Sequence, residues 1–87
     1  MKILKKDGRK EEFNINKVLV AVYAASIDLK EYLNESDLKI IRADVENVLH
    51  VLCRDFNYTS AYEVKMIVYE VLLTRGFKHI ADAYMNF

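Results

Sequence analysis

The chain has 87 residues, enough for one small domain with a modest core. Hydrophobic residues make up 53% and charged residues 30%, the balance of an ordinary globular protein. A formal net charge of zero excludes a general polyanion coat, which is basic overall, and the single cysteine excludes an internal disulfide.

Residues 2–6 and 9–13 are predicted as two short strands around Asp7-Gly8, a strong signal for a two-residue type I′ hairpin turn. That turn pairs Lys6 with Arg9, Lys5 with Lys10, Leu4 with Glu11 and Ile3 with Glu12. It puts Leu4 and Lys6 on one face with Arg9 and Glu11, and Ile3 and Lys5 on the other with Lys10 and Glu12. Such a ribbon is marginal alone and needs a surface to lie on. Asn14 is the expected N-cap of a first helix reaching about Leu29, with Ile15, Val18, Leu19, Val22 and Tyr23 on its apolar stripe. After a polar connector, "LKEYLNES", a second helix runs from about Ser36 to about Arg54 with Leu38, Ile41, Val45, Val48, Leu49 and Leu52 inward. "FNYT" (56–59) is short and extended, a candidate third strand. Ser60 and Glu63 have capping-box spacing, so a third helix starts there. It carries Val64, Ile67, Val68, Val71 and Leu72 and stops at Gly76. A last helix holds Phe77, Ile80, Ala81, Tyr84 and Met85. The fold class is α+β, mainly α: a four-helix bundle capped by an N-terminal β-hairpin or small three-stranded sheet, forming one domain over 1–87. No linker or internal repeat interrupts it.

Catalytic signals are absent. Two glycines cannot build a Gly-rich phosphate loop. Ser26, Ser36 and Ser60 lack a nearby histidine to activate them. His50 and His79 read as partly buried histidines, and Cys53 as a core or boundary thiol without metal-ligand spacing. Of the six tyrosines, most are expected in the core and at its boundary. No metal site is indicated. No apolar run approaches eighteen residues and no signal-peptide layout is present, so no membrane association is expected and the cytoplasm is the default location.

Charge is informative. Six of the thirteen basic residues lie in the first seventeen positions, with three acids, so that segment carries +3 and the other seventy residues −3. With Asn14 as N-cap, Lys17 falls at N3, where a cation opposes the helix dipole at a cost of about 0.3–1 kcal/mol. The free N–H groups of that turn attract anions. A phosphate chain there would make Lys17 a contact, and Lys5 and Lys6 on the hairpin could hold the same phosphates. Glu11 and Asn14 supply groups for an adenine edge or ribose hydroxyls. The plainer alternative is that the strand lysines deter edge-to-edge pairing and Lys17 points into water.

The words themselves are informative. "ILKKDGRKEEFNINKV" resembles the opening of the ATP-cone family: an apolar residue, Lys-Arg/Lys-Asp-Gly, a polar stretch, Phe or Ile, Asn or Asp, then Lys-Ile/Val. "TSAYEVKMIVYEVLLTRGFKHIADAYMNF" is similar to the family's second half. ATP cones are regulatory nucleotide-binding domains, best known in ribonucleotide reductases, where ATP and dATP compete for one pocket. The resemblance implies a non-catalytic domain that binds ATP or dATP, with Mg²⁺ accompanying the phosphates. It also implies a parent or partner ribonucleotide reductase and nucleotide-dependent self-association. By motif position it places Ile3 against base or sugar, Lys5, Lys6 and Lys17 on phosphates, and Glu11 on the nucleotide. Phe13 and Asn14 close the base pocket, and Thr59 and Glu63 line its other side. Lys6 stands where arginine is commoner, and Glu63 where histidine or glutamine is common. The closing basic residue after the last aromatic is absent, which implies weaker phosphate binding. Two alternatives stay open: a helical protein–protein adaptor with a degenerate nucleotide site, and a basic β-ribbon that binds nucleic acid, which net neutrality disfavours.

Overall fold

The computed structural model describes residues 1–52 and 58–86. Among them the chain forms β1 (Lys2–Leu4), β2 (Lys10–Glu12), α1 (Ile15–Asp28), α2 (Glu35–Leu52), β3 (Tyr58–Ser60), α3 (Ala61–Thr74) and α4 (Lys78–Met85). The fold is α+β, mainly α, with a small mixed sheet at the N-terminus. Cys53, the predicted end of α2 near Arg54, the start of "FNYT" and Phe87 lie outside the described residues.

The sheet order is β2-β1-β3, with β1 antiparallel to β2 and parallel to β3. The hairpin register differs from the prediction by one residue. Ile3 pairs with Glu11, Leu4 with Lys10 and Lys2 with Glu12. The loop holds three residues, closed by Lys5 N–H to Arg9 O at 2.8 Å and Gly8 N–H to Lys5 O at 3.0 Å. Only Gly8 takes positive φ, at +88°. Asp7 escapes the left-handed region that a type I′ turn would impose. Its carboxylate accepts instead from Arg9 N–H (3.1 Å) and Arg9 Nε (2.6 Å). This is the turn-plus-bulge alternative for a hairpin, and a one-residue slip exchanges the faces. Ile3, Lys5 and Glu11 therefore share a face, and Ile3 is buried.

Two helices leave this sheet directly. Asn14 Oδ1 accepts Asn16 N–H at 3.0 Å and caps α1. Ser60 Oγ accepts Glu63 N–H at 3.0 Å and caps α3. Both helices end with the same pair of bonds. In α3, Gly76 N–H reaches Leu73 O and Phe77 N–H reaches Leu72 O. In α1, Lys30 N–H reaches Ile27 O and Glu31 N–H reaches Ser26 O. These are Schellman endings, which need a left-handed residue after the cap. Gly76 supplies it at φ +87°, and Lys30 supplies it at +57° without the freedom of glycine. The start of α2 holds a reciprocal capping box that spans the end of the predicted connector and the first residues of the predicted helix: Asp37 N–H to Asn34 Oδ1 at 2.8 Å and Asn34 N–H to Asp37 Oδ2 at 3.1 Å. Leu33, just before that cap, is buried.

The core lies between the helices, with α3 against α2 and α4, and α1 against α4 and α2. Val22, Ile41, Val45, Val68 and Leu72 have no exposed surface. Each such side chain contributes about 1.5–3 kcal/mol of apolar burial. The predicted stripes hold for α3 and α4. They need correction at Tyr23, Val48 and Leu52, which are exposed, while Ala25 and Ser26 are buried. Ser26 fits there because its hydroxyl donates to Tyr23 O at 2.7 Å. Tyr32 and Tyr62 are exposed too, so fewer tyrosines pack inside than expected; Tyr84 is buried and Tyr69 partly so. Both histidines are exposed rather than partly buried, and His79 Nδ1 lies 3.0 Å from Glu31 Oε1. Among the described residues no helix is long and apolar enough to cross a membrane.

Candidate functional site

The face shared by Ile3, Lys5 and Glu11 looks toward the starts of α1 and α3. There it bounds a cleft of about 140 Å³. Ile3, Phe13, Val18, Ala61 and Val64 give it an apolar lining, and Lys5, Glu11, Glu12, Asn14 and Lys17 give it polar groups. Six of the nine residues singled out from the sequence thus line one cleft: Ile3, Lys5, Glu11, Phe13, Asn14 and Lys17. Lys6 is exposed on the hairpin loop and does not line it.

Thr59 and Glu63 stand beside the cleft and face each other. Thr59 pairs in register with Ile3 and is buried. Its hydroxyl donates to Glu63 Oε2 at 2.5 Å. Glu63 therefore completes only half of the predicted capping box. Its amide is held by Ser60, while its carboxylate satisfies Thr59 instead of reaching back to the cap. Sequence reasoning missed Ala61 and Val64 as lining residues. The signal was available in the Ser60 cap: Ala61 and Val64 fall at N1 and N4, on one side of the first turn, and Ala61 leaves space there.

The charges form a graded series. Lys5 Nζ lies 3.5 Å from Glu11 Oε2. Lys2 Nζ lies 2.8 Å from Glu12 Oε2, and the N-terminal ammonium 3.2 Å from Glu12 Oε1. The Lys2 hydrogen bond, and then the N-terminal ammonium, hold the Glu12 carboxyl below the usual carboxylate range. Arg9 is occupied by Asp7. Among the described residues Lys6 and Lys17 make no ion pair. Lys17 has no acid beside it in the first turn of α1. An exposed, unpaired cation at a helix N-terminus, next to an apolar cleft and a lysine–glutamate pair that can open, is an arrangement suited to an anion with an apolar or aromatic portion.

The family model for the ATP cone domain matches residues 1–87. The chain belongs to the ATP-cone family. ATP cones are nucleotide-binding allosteric regulatory domains, not catalytic ones. No curated relative matches the sequence. A roomier cleft of about 580 Å³ lies between α2 and α3. That groove is mainly apolar, with Val48, Met66, Ile67 and Val71 beside the Asp44–Arg75 ion pair, and it offers no helix N-terminus. Among the described residues of this ATP cone no cluster of three or more acidic, histidine or cysteine side chains could cage a metal ion.

Proposed function

We propose that this ATP cone binds ATP and dATP at the cleft under the hairpin and thereby sets the activity of a ribonucleotide reductase in the cytoplasm. The observation that carries the reading is the convergence of Ile3, Lys5, Glu11, Phe13, Asn14 and Lys17 on one cleft. These residues are scattered over fifteen positions and meet only because the hairpin folds back on the first turn of α1.

On this reading Ile3 and Phe13 pack against base or sugar. Glu11 and Asn14 accept and donate at the adenine edge or the ribose hydroxyls. Lys5 and Lys17 hold the phosphates, and Lys6 reaches them from the loop. Thr59 and Glu63 form the wall on the α3 side. A cleft of about 140 Å³ is below the usual ligand-pocket range of about 300–1,000 Å³. It takes only part of a nucleotide, so the triphosphate extends over the open first turn of α1. Binding also exchanges partners: Lys5 leaves Glu11 for a phosphate, and Glu11 becomes free to accept from the ligand. Mg²⁺ enters with the triphosphate, held by phosphate oxygens and water, since the described residues offer no cage of their own. ATP and dATP differ only in the 2′-hydroxyl. They can switch a partner enzyme only through a difference in affinity for its two states.

A thermal melt with ATP, dATP and GTP in parallel tests this. A ligand at ~100 times its Kd adds about 2.7 kcal/mol, a rise on the order of 10 °C for a domain of this size. Adenine nucleotides are expected to give it and GTP to give less. Absence of a shift with both adenine nucleotides would sink the proposal, and equal shifts with heparin would favour nucleic-acid binding.

A further inference from the structure

The groove between α2 and α3, about 580 Å³, falls within the usual ligand-pocket range of about 300–1,000 Å³. Helix α3 is apolar beyond its core stripe. Val64, Val68 and Leu72 hold the core, while Met66 and Ile67 lie outside that stripe, are only partly buried and line the groove. On the other wall Val48 of α2 is 37% exposed. Val51, three residues on and on the same side of α2, is 61% exposed. Both helices thus present apolar surface that the bundle itself leaves uncovered.

The charges around this groove do not balance. Asp44 accepts two hydrogen bonds from the Arg75 guanidinium, at 2.6 and 3.0 Å, across one end. Arg75 is the one cation among the described lining residues, and Asp44 occupies it. Glu70, on the α3 wall, is exposed and has no ion-pair partner among the described residues. The groove therefore offers an apolar floor and one unmatched carboxylate.

We propose that the α2–α3 groove docks an amphipathic helix of a partner protein, with apolar side chains on the groove floor and a lysine or arginine on Glu70. A helix fits better than a small molecule for a geometric reason. From Met66 to Arg75 the α3 wall runs about 14 Å, and Val51 carries the apolar strip further along α2. A compact ligand would leave part of that strip in water. A helix laid along it inserts side chains at i, i+3 or i+4, and i+7. A third helix seated between two packed ones repeats the ridge-and-groove packing of the bundle itself. The charge selects the partner. An acidic helix would meet Glu70 with no free cation among the described lining residues. A second copy of this chain offers the exposed apolar side of α1, which has no charge from Val18 to Ile27 to meet Glu70. This surface does not depend on the nucleotide reading.

The test is a titration of the nucleotide-free protein with a synthetic peptide of about eighteen residues, long enough to be helical alone. The peptide carries leucine at helical spacing on one face and lysine on its flanks. Amide and Met66 methyl chemical shifts follow the binding. Shifts confined to α2 and α3 around the groove are expected. The same peptide with glutamate for lysine should bind about three- to ten-fold more weakly, and a scrambled lysine peptide more weakly still. Val48→Glu should weaken the lysine peptide at least about ten-fold, and Glu70→Lys should reverse the charge preference. Both positions are exposed, so the circular-dichroism melt should stay intact in each variant. Shifts centred on other helices overturn the proposal, as do a scrambled peptide that binds equally well and a charge preference unchanged by Glu70→Lys. Equal affinity for the phenethylammonium ion also overturns it and makes the groove a small-molecule site. The same shifts on concentrating the protein alone overturn it in favour of a contact between copies.

Discussion

Helices α1 and α3 begin alike and are finished differently. Each leaves a strand of the same sheet, and each is capped by a side chain that accepts a first-turn amide, Asn14 for α1 and Ser60 for α3. At N3 they diverge. Glu63 gives α3 the acid that its dipole favours, and its carboxylate is also taken up by the buried Thr59 hydroxyl. Lys17 gives α1 the opposite charge and has no ion-pair partner among the described residues. The first arrangement is complete in the folded chain. The second is completed only by something that arrives.

Exchanging the N3 charges is the sharpest way to break that comparison. Lys17→Glu makes the start of α1 electrostatically like that of α3. It should remove a charge-assisted phosphate contact of about 1.5–3 kcal/mol, ten- to more than hundred-fold in ATP affinity by calorimetric titration. The nucleotide-free melt should rise by a few degrees, because an acid replaces a cation at the positive end of the dipole, a gain of about 0.3–1 kcal/mol. A nucleotide-free melt that drops instead would make Lys17 a structural residue. The converse change, Glu63→Lys, should do the opposite. It removes the acceptor for Thr59 and puts a cation at the start of α3, so the nucleotide-free protein should lose about 1–2 kcal/mol, or roughly 5–15 °C in Tm.

The two caps sharpen the comparison at smaller cost. Asn14→Ala and Ser60→Ala should each lower stability by about 1 kcal/mol, some 4–8 °C in Tm. Only Asn14→Ala should also weaken ATP binding, since Asn14 lines the cleft and Ser60 does not. Equal losses of ATP affinity would mean that both helix starts share the ligand.

Most of this difference was legible before the structure. The two caps, the N3 position of Lys17 and the Gly76 stop are local patterns, and local hydrogen bonding enforces them. The hairpin register was not legible. Asp-Gly is compatible with two turn types, and the choice rests on whether the Asp7 carboxylate stays outside and binds Arg9. That choice slides one strand by a residue and brings Lys5 and Glu11 onto the Ile3 face, where the cleft is. The inward face of α1 is not legible either. An all-apolar helix has no period that says which side is inside, so the stripe predicted from sequence includes the exposed Tyr23 and omits the buried Ala25 and Ser26. The Asn34/Asp37 box straddles the expected boundary, with Asn34 in the polar connector and Asp37 just inside the predicted helix.

The far ends of the same helices carry the smallest expected effect. Both close with Schellman bonds, but α3 has Gly76 at the left-handed position and α1 has Lys30. A non-glycine residue there costs about 1–2 kcal/mol in the folded chain. Glycine removes that strain but adds unfolded-chain entropy of about 0.5–1 kcal/mol. Lys30→Gly should therefore stabilise by only about 0.5 kcal/mol, roughly 2–4 °C in Tm. Gly76→Ala should lower Tm by a similar amount, since a side chain there would meet no heavy atom within 4 Å and the penalty is conformational alone. A fall in Tm for Lys30→Gly would mean that the Lys30 side chain contributes more than its backbone geometry costs. The two helix ends would then be alike in outline only, as the two helix starts are.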